Sequence, residues 1–137
     1  MLARFSPNYD LKDLQSILSS NNGKTNEFLN KFKNLTNFQN IIFRRYGRTC
    51  LFELIKALDI KKKEIIIPAY TCVVVAHAIV KSGNIPVFLD NKKNSFHPEI
   101  SDYLKKITKK TAMIIPTHLF GIFQNFKELK KKIKKIN

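Results

Sequence analysis

No apolar stretch in this 137-residue sequence reaches the roughly 18–20 residues that a membrane-crossing helix requires. The opening Met1-Leu2-Ala3-Arg4-Phe5-Ser6-Pro7 also lacks the apolar centre of a secretory signal. These two absences lead to the expectation of a cytoplasmic protein without a membrane partner. Cysteine is scarce too: only Cys50 and Cys72 occur, each inside an apolar segment and without a nearby His or Cys partner. That spacing excludes a recognisable metal site and predicts buried free thiols. Acidic residues are few, 10 against 25 Lys and Arg, for a net charge of +15. Such an excess invites a nucleic-acid or anionic-membrane partner. Arginine is rare, however, with only Arg4, Arg44, Arg45 and Arg48, and the lysines are not interleaved with aromatics as a strand-stacking surface would need. Lys, Asn and Ile are together abundant, which an AT-rich coding sequence produces without any polyanion, so nucleic-acid binding is not expected.

No internal repeat and no low-complexity linker interrupts the chain, and its length suits one domain. Residues 1–45 read as a helical arm. Asp10 is placed to cap a helix with Leu11, Leu14, Ile17 and Leu18 on one face, ended by Asn21-Asn22-Gly23. A second amphipathic piece carries Phe28, Leu29, Phe32 and Leu35, and Ile41-Ile42-Phe43 reads as a short strand. From residue 46 to 137 helices and β-branched runs alternate. Helices are predicted over 49–58, 73–81, 98–107 and 126–136, with strands over 64–67, 85–89 and 112–115. That order is the pattern of crossover units around a mainly parallel sheet. Pro98 suits a first helical position, Gly83 a helix end, and the segment Val73 to Val80 is apolar nearly all round, which predicts burial.

Ligands of an open α/β sheet bind beyond the carboxyl ends of its strands, which directs attention to 46–49, 68–72, Asp90 and 117–118. Gly47-Arg48-Thr49 stands before a helix, where free N–H groups and the helix dipole favour an anion. An ordinary turn with Thr49 as cap fits the same residues. Pro68-Ala69-Tyr70-Thr71-Cys72 closes one strand and opens the apolar helix, with Thr71 as the candidate cap and Tyr70 able either to line a flat ligand or to fill the core. His77 reads as a structural imidazole inside a helix, His97 as a loop or capping residue, and His118 as the best-placed ionisable group, without a carboxylate or nucleophile at a pairing distance. The lysine-rich 126–137 segment reads as a crossover helix rather than a membrane-surface helix.

Taken in order, Tyr46-Gly47-Arg48-Thr49-Cys50-Leu51, Glu64-Ile65-Ile66-Ile67-Pro68-Ala69-Tyr70-Thr71-Cys72, Gly83-Asn84-Ile85-Pro86-Val87-Phe88-Leu89-Asp90 and Ile107 through Gly121 resemble the DegT/StrS-type sugar aminotransferases. These are pyridoxal-phosphate (PLP) enzymes of fold type I. The resemblance runs from about Tyr46 to the end of the chain. It implies a partial three-layer α/β/α large domain in which Arg48 and Thr49 hold the coenzyme phosphate through backbone N–H groups at the helix start, with Gly47 making the turn. It also implies that Cys72 stands where relatives often carry an aromatic that stacks on the pyridine ring, with Tyr70 as the neighbouring ring. A nucleotide-linked keto-sugar, an amino-acid donor and a homodimer are implied as well. The family's acidic partner of the pyridinium nitrogen and its coenzyme-linking lysine have no counterpart in this sequence. The chain by itself is therefore expected to be catalytically silent, as an N-terminal part of such an enzyme. Two other readings stay open: a non-catalytic module that pairs with a missing half or an intact homologue, and a basic anion-binding α/β protein.

Overall fold

The computed structural model describes residues 10–19 and 22–133. The chain divides into two compact units, residues 1–43 and 44–137.

The first unit carries α1 (Leu11–Leu18) and α2 (Asn22–Thr36). Asp10 starts α1 as predicted. Its carboxylate accepts the Asp13 N–H at 2.9 Å, while the Asp13 carboxylate accepts the Asp10 N–H at 3.0 Å, so two helix-start donors are satisfied reciprocally. On α2, Phe28 and Phe32 lie 5.8 Å apart, and Phe43 closes on them at 5.5 and 6.2 Å. Two expectations are corrected in this unit. Asn22 and Gly23 belong to α2 instead of ending the helix before it, and Asn21 lies outside the described residues. Residues 41–43 form no strand. A strand needs a neighbour for its N–H and C=O groups, and none of the three strands described pairs with this segment.

The second unit alternates α3 (Gly47–Ala57), β1 (Glu64–Pro68), α4 (Val73–Lys81), β2 (Ile85–Leu89), α5 (Ile100–Lys106), β3 (Thr111–Ile114) and α6 (Phe126–Ile133). The strands form one parallel sheet in the order β2-β1-β3. Ile65, Ile66 and Ile67 of β1 are fully buried, as a central parallel strand covered on both faces requires. Their alternation sorts the core into two. Ile65 and Ile67 pack with Ile55 of α3 and Ile79 of α4, whereas Ile66 packs with Leu89, Tyr103 of α5 and Leu129 of α6. The result is the expected three-layer α/β/α arrangement, with one helix pair on each face. Burial pushes the Tyr103 phenol up to about 12.

Several boundaries differ from expectation. α5 starts at Ile100, because Glu99 is extended (φ −72°, ψ 149°) and takes the N-cap place, which leaves Pro98 in the preceding loop. α6 is described to Ile133, and the predicted extension to Ile136 lies outside the described residues. α4 is not buried all round: Ala78 and Ile79 are buried but Val73 and Val80 are exposed, since a helix in an outer layer turns only one face to the sheet. Gly83 ends α4 with φ 82°, the left-handed conformation that glycine tolerates best.

The buried Asn84 that follows ties the amino edge of the sheet together. Its Oδ1 accepts the Lys63 N–H at 3.0 Å and its Nδ2 donates to the Ile60 carbonyl at 2.8 Å. Removing this side chain strands both backbone groups. Asn84→Ala is expected to lower unfolding free energy by about 1–3 kcal/mol in urea titration, with Lys109→Ala as the exposed control. Equal midpoints for the two variants would refute the role assigned to Asn84.

Candidate functional site

α3 and α4 both end at the amino edge of the sheet, where the Lys62 N–H donates to the Gly83 carbonyl at 3.1 Å and Asn84 bridges Ile60 and Lys63. Their first turns therefore point toward the carboxyl edge, the side on which the loops after β1, β2 and β3 emerge.

Gly47 is the first residue of α3, and Tyr46, extended at φ −137°, is its N-cap. Thr49 is not the cap that the sequence suggested. It is the third helical residue, and its N–H is drawn back to the Tyr46 carbonyl at 3.0 Å, as is that of Cys50 at 3.3 Å. Among the described residues no backbone carbonyl receives the N–H groups of Gly47 and Arg48, which remain the open donors of the helix start. Gly47 is not there for backbone freedom, since its φ is not in the left-handed range. A Cβ at its position would meet no heavy atom within 4 Å, so the space above the turn is clear of protein. The Arg48 guanidinium lies 4.7 Å above the Tyr46 ring, a cation–π contact that stations a positive charge beside the open amides. Arg44 donates from Nε to both carboxylate oxygens of Glu53, at 2.9 and 2.7 Å. This contact holds the Arg44 pKa above its usual value and engages the Glu53 carboxylate, one of the residues that line the cleft beside α3. Open amides, a fixed guanidinium and an engaged carboxylate together suit a phosphate.

A cleft of about 380 Å³ between α3 and α4 is lined by Arg48, Thr49, Phe52, Glu53, His77 and Lys81, among others. The Lys81 ammonium sits 5.7 Å from the Phe52 ring centroid. His77, expected inside the core, is exposed on α4 and faces this cleft, because only the 78–79 side of the helix meets the sheet.

Tyr70 and Cys72 lie elsewhere on the same edge. With Thr71, Leu119 and Phe120 they line a pocket of about 230 Å³ that shares no lining residue with the Arg48 cleft. The predicted site residues thus fall into two neighbouring groups at the carboxyl side, three at the start of α3 and two at the exit of β1. Cys72, not Thr71, is the N-cap of α4, with no side-chain cap bond. The Thr71 hydroxyl instead shares a 3.1 Å hydrogen bond with that of Thr117, joining the loops after β1 and β3. Both cysteines are exposed, contrary to expectation: Cys50 is on the outer side of α3 and Cys72 is at a helix start.

Sequence reasoning missed two residues of this edge. Phe96 stacks on Tyr70 at 6.1 Å, and Phe120 meets Phe96 edge-on at 4.9 Å and Tyr70 at 6.4 Å, which makes a half-exposed aromatic cluster from three loops. Phe120 and Gly121 have φ of 52° and 75°, and the Ile122 N–H returns to the Leu119 carbonyl at 2.8 Å. Positive φ at both central residues is the primed two-residue turn. Its strained aromatic first position hid the turn in the sequence, although Gly121 was a signal for it. His118 holds the next loop: its Nδ1 accepts the Gln124 N–H at 2.9 Å, and its ring meets Phe123 edge-on at 5.0 Å. Among the described residues no group of three or more His, Cys, Asp or Glu could hold a metal, and no helix is long and apolar enough to cross a membrane.

Both thiols are expected to react with Ellman's reagent in the native protein as freely as after denaturation. Strong protection of either one would contradict its exposed position.

Comparison with known proteins places this geometry. The family model described as the DegT/DnrJ/EryC1/StrS aminotransferase family matches residues 9–137. GDP-perosamine synthase from Escherichia coli O157:H7 is 31% identical over 105 residues, which cover 76% of this chain and 29% of that protein. Spr1654 from Streptococcus pneumoniae, described as a sugar aminotransferase, superposes in its PLP form with a TM-score of 0.61 at 28% identity, over 64% of this chain and 23% of that one. Its PMP form superposes with a TM-score of 0.79 at 24% identity, over 89% and 32%. The chain spans about a quarter to a third of the length of these relatives. With a family match across nearly its whole length and the α/β/α fold of those structures, the chain belongs to the DegT/DnrJ/EryC1/StrS aminotransferase family.

Proposed function

We propose that this chain forms the phosphate-gripping first part of a PLP-dependent aminotransferase that acts on nucleotide-linked keto-sugars. The observation that carries this reading is the start of α3, where the Gly47 and Arg48 amides are open and Arg48 is held beside them at the carboxyl side of a parallel sheet. There the backbone N–H groups of Gly47 and Arg48 and the Thr49 hydroxyl would hold the coenzyme phosphate, and the vacant space over Gly47 admits it. Cys72 and Tyr70 would bound the ring. A thiol offers no π-face, so Tyr70, backed by Phe96 and Phe120, supplies the aromatic surface nearest that place. PLP, when bound, supplies the electron sink needed to move an amino group between an amino acid and a sugar ketone.

No lysine lines the Tyr70 pocket, so the contacts of this chain to the coenzyme are non-covalent in this reading. A homodimer, the assembly implied by the family resemblance, and a cytoplasmic location complete the proposal.

In fluorescence titrations of the whole chain, PLP is expected to bind at least about tenfold more tightly than pyridoxal, a difference of about 1.4 kcal/mol from the phosphate alone. Inorganic phosphate should compete. Gly47→Val, which fills the space over the turn, is expected to abolish that preference while leaving the thermal midpoint unchanged. Equal affinity for PLP and pyridoxal in the unsubstituted chain would sink the phosphate assignment. A borohydride-stable coenzyme adduct at one defined lysine would sink the non-covalent one.

A further inference from the structure

Past the ends of their strands, the loops that follow β1 and β3 are held together by side chains. The Ile115 N–H donates to the Ile66 carbonyl at 2.8 Å, and among the described residues no backbone hydrogen bond joins 69–72 to 116–121. The Thr71 and Thr117 hydroxyls close that span, part-buried and 3.1 Å apart across 46 positions of sequence. A hydroxyl just ahead of a helix ordinarily caps it, but α4 takes Cys72 as its N-cap and receives no side-chain cap bond. The Thr71 hydroxyl is thus spent on the other loop.

Each loop supplies one wall of the 230 Å³ pocket, Tyr70, Thr71 and Cys72 from the first and Leu119 and Phe120 from the second. Each also supplies a ring. Tyr70 and Phe120 lie 6.4 Å apart and tilted by 38°, with Phe96 against both. Phe120 stands in a tight turn at φ 52°, so its ring has little freedom to follow Tyr70 if the loops part. Thr71 adjoins Tyr70, and Thr117 comes two residues ahead of Leu119, where the turn begins. The hydroxyl pair therefore fastens the backbone close to each ring.

The need for such a fastening follows from Cys72. A thiol has no π-face, so the aromatic surface of this pocket is divided between residues on separate loops. A single ring carries its own flat face wherever its loop goes. A divided surface keeps its shape only while the loops keep their spacing.

From these observations we infer that Thr71 and Thr117 are positioning residues for the coenzyme ring: their mutual hydrogen bond fixes the offset of Tyr70 from Phe120, and with it the surface against which the ring lies. Because this pocket is proposed to bound the PLP ring, the role assigned to the pair rests on that binding.

The whole 137-residue chain is titrated with PLP beside its Thr71→Val, Thr117→Val, doubly substituted and Thr71→Ser forms, with far-ultraviolet circular dichroism confirming that each is folded. Valine keeps the branched shape and removes the bond. Two signals are read: the near-ultraviolet circular dichroism of the tyrosine and phenylalanine rings before coenzyme is added, and the circular dichroism induced in the absorption band of bound PLP. Either valine variant should diminish both signals and weaken PLP binding about fivefold. The double variant should be no worse than either single one, as two ends of one bond require. Thr71→Ser, which keeps a hydroxyl, should restore both signals. Inorganic phosphate, which has no ring to place, should bind all forms alike. Valine variants with unchanged PLP affinity and an unchanged induced band would overturn the positioning role and leave the coenzyme reading standing. Loss of phosphate binding in step with PLP would also overturn it, since the pair would then be a general structural tie. Absence of PLP binding by the unsubstituted chain would sink the coenzyme reading, and the positioning role with it.

Discussion

Burial of β1 on both faces is the constraint around which the second unit is organised. Ile65, Ile66 and Ile67 lose all contact with water, and each such side chain contributes about 1.5–3 kcal/mol relative to exposure. Because alternate residues of a strand point to opposite faces, this burial demands cover on two sides at once. α3 and α4 provide it for Ile65 and Ile67, and α5 and α6 provide it for Ile66. The helices in turn force the strands to be parallel, since each returns the chain to the amino edge before the next strand starts. Every connection that leaves a strand therefore emerges on the same edge, which is why residues as distant as Thr71 and Thr117 share a hydrogen bond.

That single-edge arrangement gathers the chemistry without requiring any of it to be near in sequence. Gly47 and Arg48 offer open amides at one helix start, and Tyr70, Phe96 and Phe120 bring rings from three loops. The large net positive charge takes little part in this. Near these sites Arg44, Lys92 and Lys132 are neutralised by Glu53, Glu99 and Glu128, while Arg48 and Lys81 are drawn over aromatic rings. Charge at these sites is thus positioned locally, by ion pairs and ring contacts.

The elements that the sequence disclosed are those with a strong local period. α4 and β2 fall at their expected limits because a β-branched run and a glycine stop mark them. Several of the errors fall where partners lie far along the chain. Ile41-Ile42-Phe43 has the composition of a strand but no neighbour to pair with, and composition carries no information about neighbours. Thr49 and Thr71 look like caps, yet one is recruited by the Tyr46 carbonyl and the other by Thr117. His77 and the two cysteines sit in apolar surroundings in the sequence, but in three dimensions His77 and Cys50 are on the outer side of helices and Cys72 caps one. At the candidate site, Gly47 and Arg48 were legible because a helix start is a local feature. Phe96 and Phe120 were not, because their association with Tyr70 depends on the order in which the strands lie side by side.

Pro86 adds a directional consequence. In β2 the Ile85 N–H points inward to the Lys63 carbonyl, so the next residue along directs its amide position away from β1, and there proline has no hydrogen to offer. The outer rim of β2 is therefore interrupted as a template, whereas β3 has no proline among its residues. The outer rim of β2 thus offers one backbone donor fewer to a neighbouring strand than its length allows.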